Sequence, residues 1–169
     1  MTEPEPWLRG PLAGVHPLLA PPLYTLQQVR EELAACTAGL SPEEIWARPH
    51  GLTPLGFHLR HIAGSTDRLS AYLRGEPLSD GLLAAMRRES EPGASRDELL
   101  AEVGAALDRA EALIRALDPA TLTEARTVGR KALPTTVVGL VFHIAEHAFR
   151  HLGQAVSAAR LVRAAGTLS

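Results

Sequence analysis

At 169 residues and 18.1 kDa the chain is the size of one ordinary domain and long enough to bury a core. A formal net charge of −2 with no basic run argues against a nucleic-acid surface, and no apolar stretch approaches the roughly 18 residues that a membrane span requires. Aromatic residues are only 4% of the chain, and β-branched runs are nearly absent apart from Thr135-Thr136-Val137-Val138, so composition points to an all-α protein.

Residues 1–15 contain Pro4, Pro6, Pro11, Gly10 and Gly14 and read as a flexible, Pro-rich N-terminal arm, with Trp7 as its expected anchor. Residues 16–169 form the domain. The acidic start lacks the basic and apolar regions of a secretory signal, and a single cysteine, Cys36, rules out an internal disulfide. Both features predict a cytoplasmic protein. Cys36 stands among Leu33, Ala34, Ala35 and Leu40 and is expected to be a buried, inert thiol.

The first long helix is predicted from about His16 to Gly39. Pro21-Pro22 lies near its start, where proline is tolerated, and Leu23, Leu26, Val29, Arg30 and Leu33 form a stripe at helical spacing. Ser41, Pro42 and Glu44 then spell a capping box that opens a short helical turn through Trp46. Thr53 is the expected cap of the second long helix, with Pro54 at its first position. Its inward face is Leu55, His58, Leu59, Ile62, Thr66, Leu69 and Leu73, and it closes at Gly75.

A short helix is expected between Gly81 and Glu89, ended by Glu91-Pro92-Gly93. A second capping box, Ser95 with Glu98, opens the third long helix, whose stripe runs through Leu99, Val103, Leu107, Ala110 and Ile114. After Asp118-Pro119, residues 120–134 make a polar connection with a loose hairpin. Thr135 is expected to start the last helix, which runs to about Ala165. Four helices of about 20 residues or more, joined by short or medium connections, predict a four-helix bundle with short extra helices in the connections.

The last helix carries His143, His147 and His151 at four-residue spacing, which places the three imidazoles along one face. Two imidazoles one helical turn apart can grip one metal ion. The second long helix offers His58 and His61, three apart and also on one face. If the two helices are neighbours, a histidine from each meets inside the bundle, and three neutral imidazoles leave coordination positions for water or substrate. Spacing alone does not choose between His58 and His61. Glu146 reads as a solvated helix carboxylate, with orientation of a ligand imidazole as its alternative, and Gln154 as a residue that either packs the helix or hydrogen-bonds near the metal.

The segments Leu40-Ser41-Pro42-Glu43-Glu44-Ile45-Trp46, His58-Leu59-Arg60-His61-Ile62-Ala63 and His143 to Gln154, taken in order, resemble the DinB-like superfamily of four-helix proteins. The resemblance spans about residues 16–163, and its most specific part is the ending His147-x-x-x-His151-x-Gly153-Gln154. It implies a divalent metal, zinc or nickel, held by His61, His147 and His151. It further implies a metal-dependent S-transferase that uses a low-molecular-weight thiol and an electrophilic substrate in detoxification or stress. A metal-dependent hydrolase and a non-catalytic scaffold with a structural metal are the alternatives. Family members often dimerise, and an apolar stripe on the first or third long helix is the expected surface for that.

Overall fold

A computed structural model describes residues 3–166. Six α-helices and one two-stranded hairpin follow in chain order: α1 (Ala20–Cys36), α2 (Pro42–Trp46), α3 (Leu55–Leu73), α4 (Asp80–Arg87), α5 (Arg96–Arg115), β1 (Ala125–Val128), β2 (Leu133–Thr136) and α6 (Val137–Gly166). The long helices α1, α3, α5 and α6 form the bundle. The expected stripes face its interior: Leu23, Leu26, Val29 and Leu33 from α1, Leu55, Leu59, Ile62 and Leu73 from α3, and Leu99, Val103, Leu107 and Ile114 from α5 are buried, together with Val141, Ile144, Ala148 and Leu152 from α6.

Helix α3 packs against α5 and α6, and so does α1, which puts α1 and α3 at opposite corners. Helices consecutive along the chain therefore need not be neighbours in space, and the long connections carrying α2 and the hairpin make those crossings. This arrangement sets α3 beside α6, the two helices that carry histidine pairs. His61 meets His147 and His58 meets His151, so the two helices run antiparallel.

The helix starts follow the local chemistry. Ser41 Oγ accepts from the Glu44 amide at 3.2 Å while Glu44 Oε2 accepts from the Ser41 amide at 2.8 Å, and Ser95 with Glu98 repeats the pattern. Two expected starts move, that of α3 by one residue and that of α6 from Thr135 to Val137. Pro54, not Thr53, occupies the cap position of α3, and no side chain caps that end. Pro54 is buried at that position. Thr135 and Thr136 belong to β2, paired with Arg126 and Ala125, and the Oγ1 of Thr136 accepts from the Gly139 amide at 3.1 Å to cap α6.

The loose hairpin is thus a short antiparallel ladder, tied to the bundle by Arg126 Nε, which donates to the carbonyl of Leu73 at the end of α3 (3.0 Å). Along the N-terminal arm Trp7 is exposed and is not the anchor. The arm is fastened by buried Pro6, by the Arg9–Glu31 ion pair at 2.7 Å and by Tyr24, whose hydroxyl donates to the Gly10 carbonyl at 2.7 Å. The stripes of α1 and α5 are spent inside the bundle. Exposed apolar side chains instead include Leu18 ahead of α1 and Val138, Phe142 and Phe149 on α6. Among the described residues no helix is long and apolar enough to cross a membrane.

Candidate metal centre

Where α3 crosses α6, four imidazoles gather. One ring nitrogen from each of His61, His147 and His151 lies within 4.8 Å of the others. His61 and His147 face each other through their Nε2 atoms at 3.0 Å, and the ring centroids of His61 and His151 are 4.3 Å apart. His58 takes a different place. Its Nδ1 lies 3.3 Å from Nδ1 of His151, and it is buried behind that ring. The one-turn spacing on α6 and the position of His61 on the neighbouring α3 together bring the cluster about.

The far nitrogen of His61 is also held. Its Nδ1 donates to Oε2 of Glu89 at 2.7 Å, and the other oxygen of Glu89 accepts from Arg68 Nη1 at 2.6 Å. Both Glu89 and Arg68 are buried. Burial works to raise the Glu89 pKa, but the hydrogen bonds from His61 and Arg68 and the guanidinium charge outweigh it, and the group sits below the usual carboxylate range. An ionised carboxylate can only accept, so Nδ1 of His61 carries a proton, and Nε2 is the nitrogen turned toward His147. Phe57 stacks on the His61 ring, with centroids 5.3 Å apart.

Burial lowers the pKa of His58, His147 and His151 to about 4, and neighbouring imidazoles add to the effect. These rings are neutral at pH 7, the state in which imidazole binds metal. Nδ1 of His147 is buried without a hydrogen-bond partner among the described residues. The fit to a divalent ion rests on this donor set. Two imidazole nitrogens about 2.0–2.1 Å from one tetrahedral ion lie about 3.4 Å apart, close to the spacing of the facing Nε2 atoms.

Glu146 does not touch the three-histidine cluster. Its carboxylate pairs with Arg150 and lies 3.2 Å from Nδ1 of His143, and Arg150 holds its pKa below the usual range. His143 stands at the edge, its ring 5.3 Å from that of His147. Gln154 is exposed and lines a cleft of about 410 Å³ with His58, Thr53, Leu52 and Arg150. Glu89 and Arg68 were not anticipated as site residues. Glu89 lies outside any periodic stretch, 28 positions from the histidine it binds, and no local pattern announces such a contact.

A DinB superfamily model matches residues 25–155, most of the chain and all four histidines of the crossing. The chain belongs to the DinB superfamily. The DinB assignment agrees with the fold. YfiT from Bacillus subtilis, described as "a probable metal-dependent hydrolase with an unusual four-helix bundle topology", superposes with a TM-score of 0.65 at 15% identity, covering 93% of each chain. At that identity the likeness shows the bundle alone. No curated protein matches the chain.

Proposed function

We propose that His61, His147 and His151 hold one divalent cation and that this DinB protein is a metal-dependent enzyme acting on a small molecule. The observation that carries the reading is the convergence of three imidazoles from two helices, one of them oriented by a buried carboxylate. Such a cation, zinc or nickel by donor type, acts as a Lewis acid and acidifies a water or thiol placed at its open position.

The residues around the cluster favour a thiol as nucleophile. Glu89 is locked between Arg68 and His61, and Glu146 between Arg150 and His143, so neither carboxylate is free to serve as a base. A thiol has one proton to lose and needs no base once deprotonated. A nucleophile derived from water carries a second proton that must leave during the reaction. The activity favoured is therefore an S-transferase: the sulfur of a low-molecular-weight thiol bonds to an electrophilic carbon, and the leaving group departs with its electron pair. Detoxification is the setting that suits this chemistry.

A hydrolase is the second reading, and one observation supports it. His143, held through Nδ1 by Glu146 and set against His147, is an imidazole suited to accept a proton from water. The description of YfiT as a metal-dependent hydrolase points the same way.

Zinc-loaded protein assayed for conjugation of thiols to monobromobimane or chlorodinitrobenzene, and against an ester and amide panel, separates the readings. Conjugation above background that is lost in a folded His147→Ala variant is the expected result. Hydrolysis without conjugation would transfer the assignment to the hydrolase. Neither activity in metal-loaded protein would leave a binding or scaffold protein with a structural metal.

A further inference from the structure

Between Leu73 at the end of α3 and Leu99 in the first turns of α5, one residue is buried, and it is a glutamate. Helix α4, in the middle of this stretch, buries none of its residues. The connection is held down through polar contacts. Trp46 Nε1 donates to the Ala94 carbonyl at 2.8 Å, Arg60 donates to the carbonyls of Arg88 and Glu91, and Glu89 reaches through to Arg68 and His61. The apolar residues of the connection, such as Leu82, Leu83 and Ala94, are only half-buried, so its one fully buried side chain is a carboxylate, an expensive group to bury. It is placed against a residue of the imidazole cluster.

We infer that Glu89 is a positioning residue and a latch: the α4 connection completes the metal centre by docking Glu89 on His61, so metal affinity and docking of residues 79–92 are linked. The inference rests on the metal reading above. Glu89 holds the His61 ring through Nδ1 at 2.7 Å, with Nε2 turned toward His147, and Arg68 at 2.6 Å aims the carboxylate. Linkage is reciprocal, so whatever factor the docked carboxylate adds to metal affinity, the bound metal adds to docking.

Gly64 supplies the second observation. It sits on α3 one turn after His61, and a Cβ there would lie 2.5 Å from Oε1 of Glu89 and 2.9 Å from Nη1 of Arg68. The missing side chain makes the space in which the ion pair lies. Alanine at this position favours the helix while pushing the carboxylate off its seat. Gly64→Ala therefore disturbs the latch without removing a charge or a ligand.

The test measures zinc affinity by competition with a chromophoric chelator, and hydrogen exchange of residues 79–92 with and without zinc. It uses wild type, Glu89→Gln, Gly64→Ala and His147→Ala, each checked for folding by circular dichroism. Zinc binding about 10–100-fold weaker in both Glu89→Gln and Gly64→Ala is expected, the range usual for loss of a ligand's supporting partner. Zinc should slow exchange of residues 79–92 in wild type and lose that effect in both variants. Wild-type affinity in the two variants, or exchange in wild type indifferent to zinc, overturns the latch alone, provided wild type binds zinc and His147→Ala does not. Failure of wild type to bind zinc overturns the metal reading and the latch together.

Discussion

Nε2 of His61 and Nε2 of His147 face each other at 3.0 Å across the contact of α3 and α6. Each ring belongs to a helix whose apolar stripe is fixed in the core, so neither can turn away without moving a buried leucine or isoleucine. Ile62 follows His61 directly, and Ala148 follows His147, and both are buried. The bundle brings two nitrogens of one chemical kind together, and His151 adds a third.

His58 and His61 should behave differently when removed, although the sequence alone leaves either as the ligand from α3. His58 contacts His151 through the ring nitrogen on its far side and is placed to orient it. His58→Ala is expected to bind one equivalent of metal with affinity reduced about tenfold, the lower end of the range for supporting residues. Chelator competition checks this. Complete loss of stoichiometric binding would make His58 a ligand.

The imidazoles also tie stability to pH. Burial holds the pKa of His58, His147 and His151 down at about 4 in the folded protein, against about 6.5 for a solvated imidazole in the unfolded chain. Between those values the unfolded chain binds more protons, so stability rises with pH there. Metal-free protein is expected to be at its full stability above about pH 6.5 and to lose it progressively as pH falls toward 4. Thermal midpoints across pH 4–8 measure this, and a flat profile would show that the rings are not held neutral.

Packing under Trp46 offers a test of the fold independent of metal. A Cβ at Gly56 would meet the Trp46 ring at 2.7–2.9 Å. The ring is held by its bond to the Ala94 carbonyl and by Arg60 stacked 5.1 Å from its centroid. Overpacking costs about 1–3 kcal/mol, against about 1 kcal/mol that alanine gains over glycine in a helix. Gly56→Ala should therefore lose on the order of 1 kcal/mol net, with a shift in Trp46 fluorescence. Wild-type stability and emission would mean that the ring moves freely.

What was legible in the sequence was what is local. Ser41 with Glu44 and Ser95 with Glu98 announce helix starts because a capping box is closed within three residues. The stripes through Leu23–Leu33 and Leu99–Ile114 announce buried faces because helical geometry repeats within a turn. His147 and His151 share a face for the same reason.

What was hidden depends on contacts between distant segments. Pro54 stands at the cap of α3 with no bond from the side chain of Thr53, and Thr135 joins a strand because Arg126 lies opposite it. The diagonal placement of α1 and α3 follows from how the connections run, on which helical periodicity is silent. Glu89 reads as one more charged residue near a Pro-Gly breaker. Only the fold brings it to His61 and Arg68.

Whether His61, His147 and His151 hold one cation is decided by the metal content of purified, zinc-reconstituted protein, measured by mass spectrometry. It is to be run on wild type, His61→Ala, His147→Ala, His151→Ala and His58→Ala, each confirmed as folded. The account requires about one equivalent in wild type and in His58→Ala, and none in the other three. Metal kept by His61→Ala and lost by His58→Ala, or no metal in wild type after reconstitution, would contradict it.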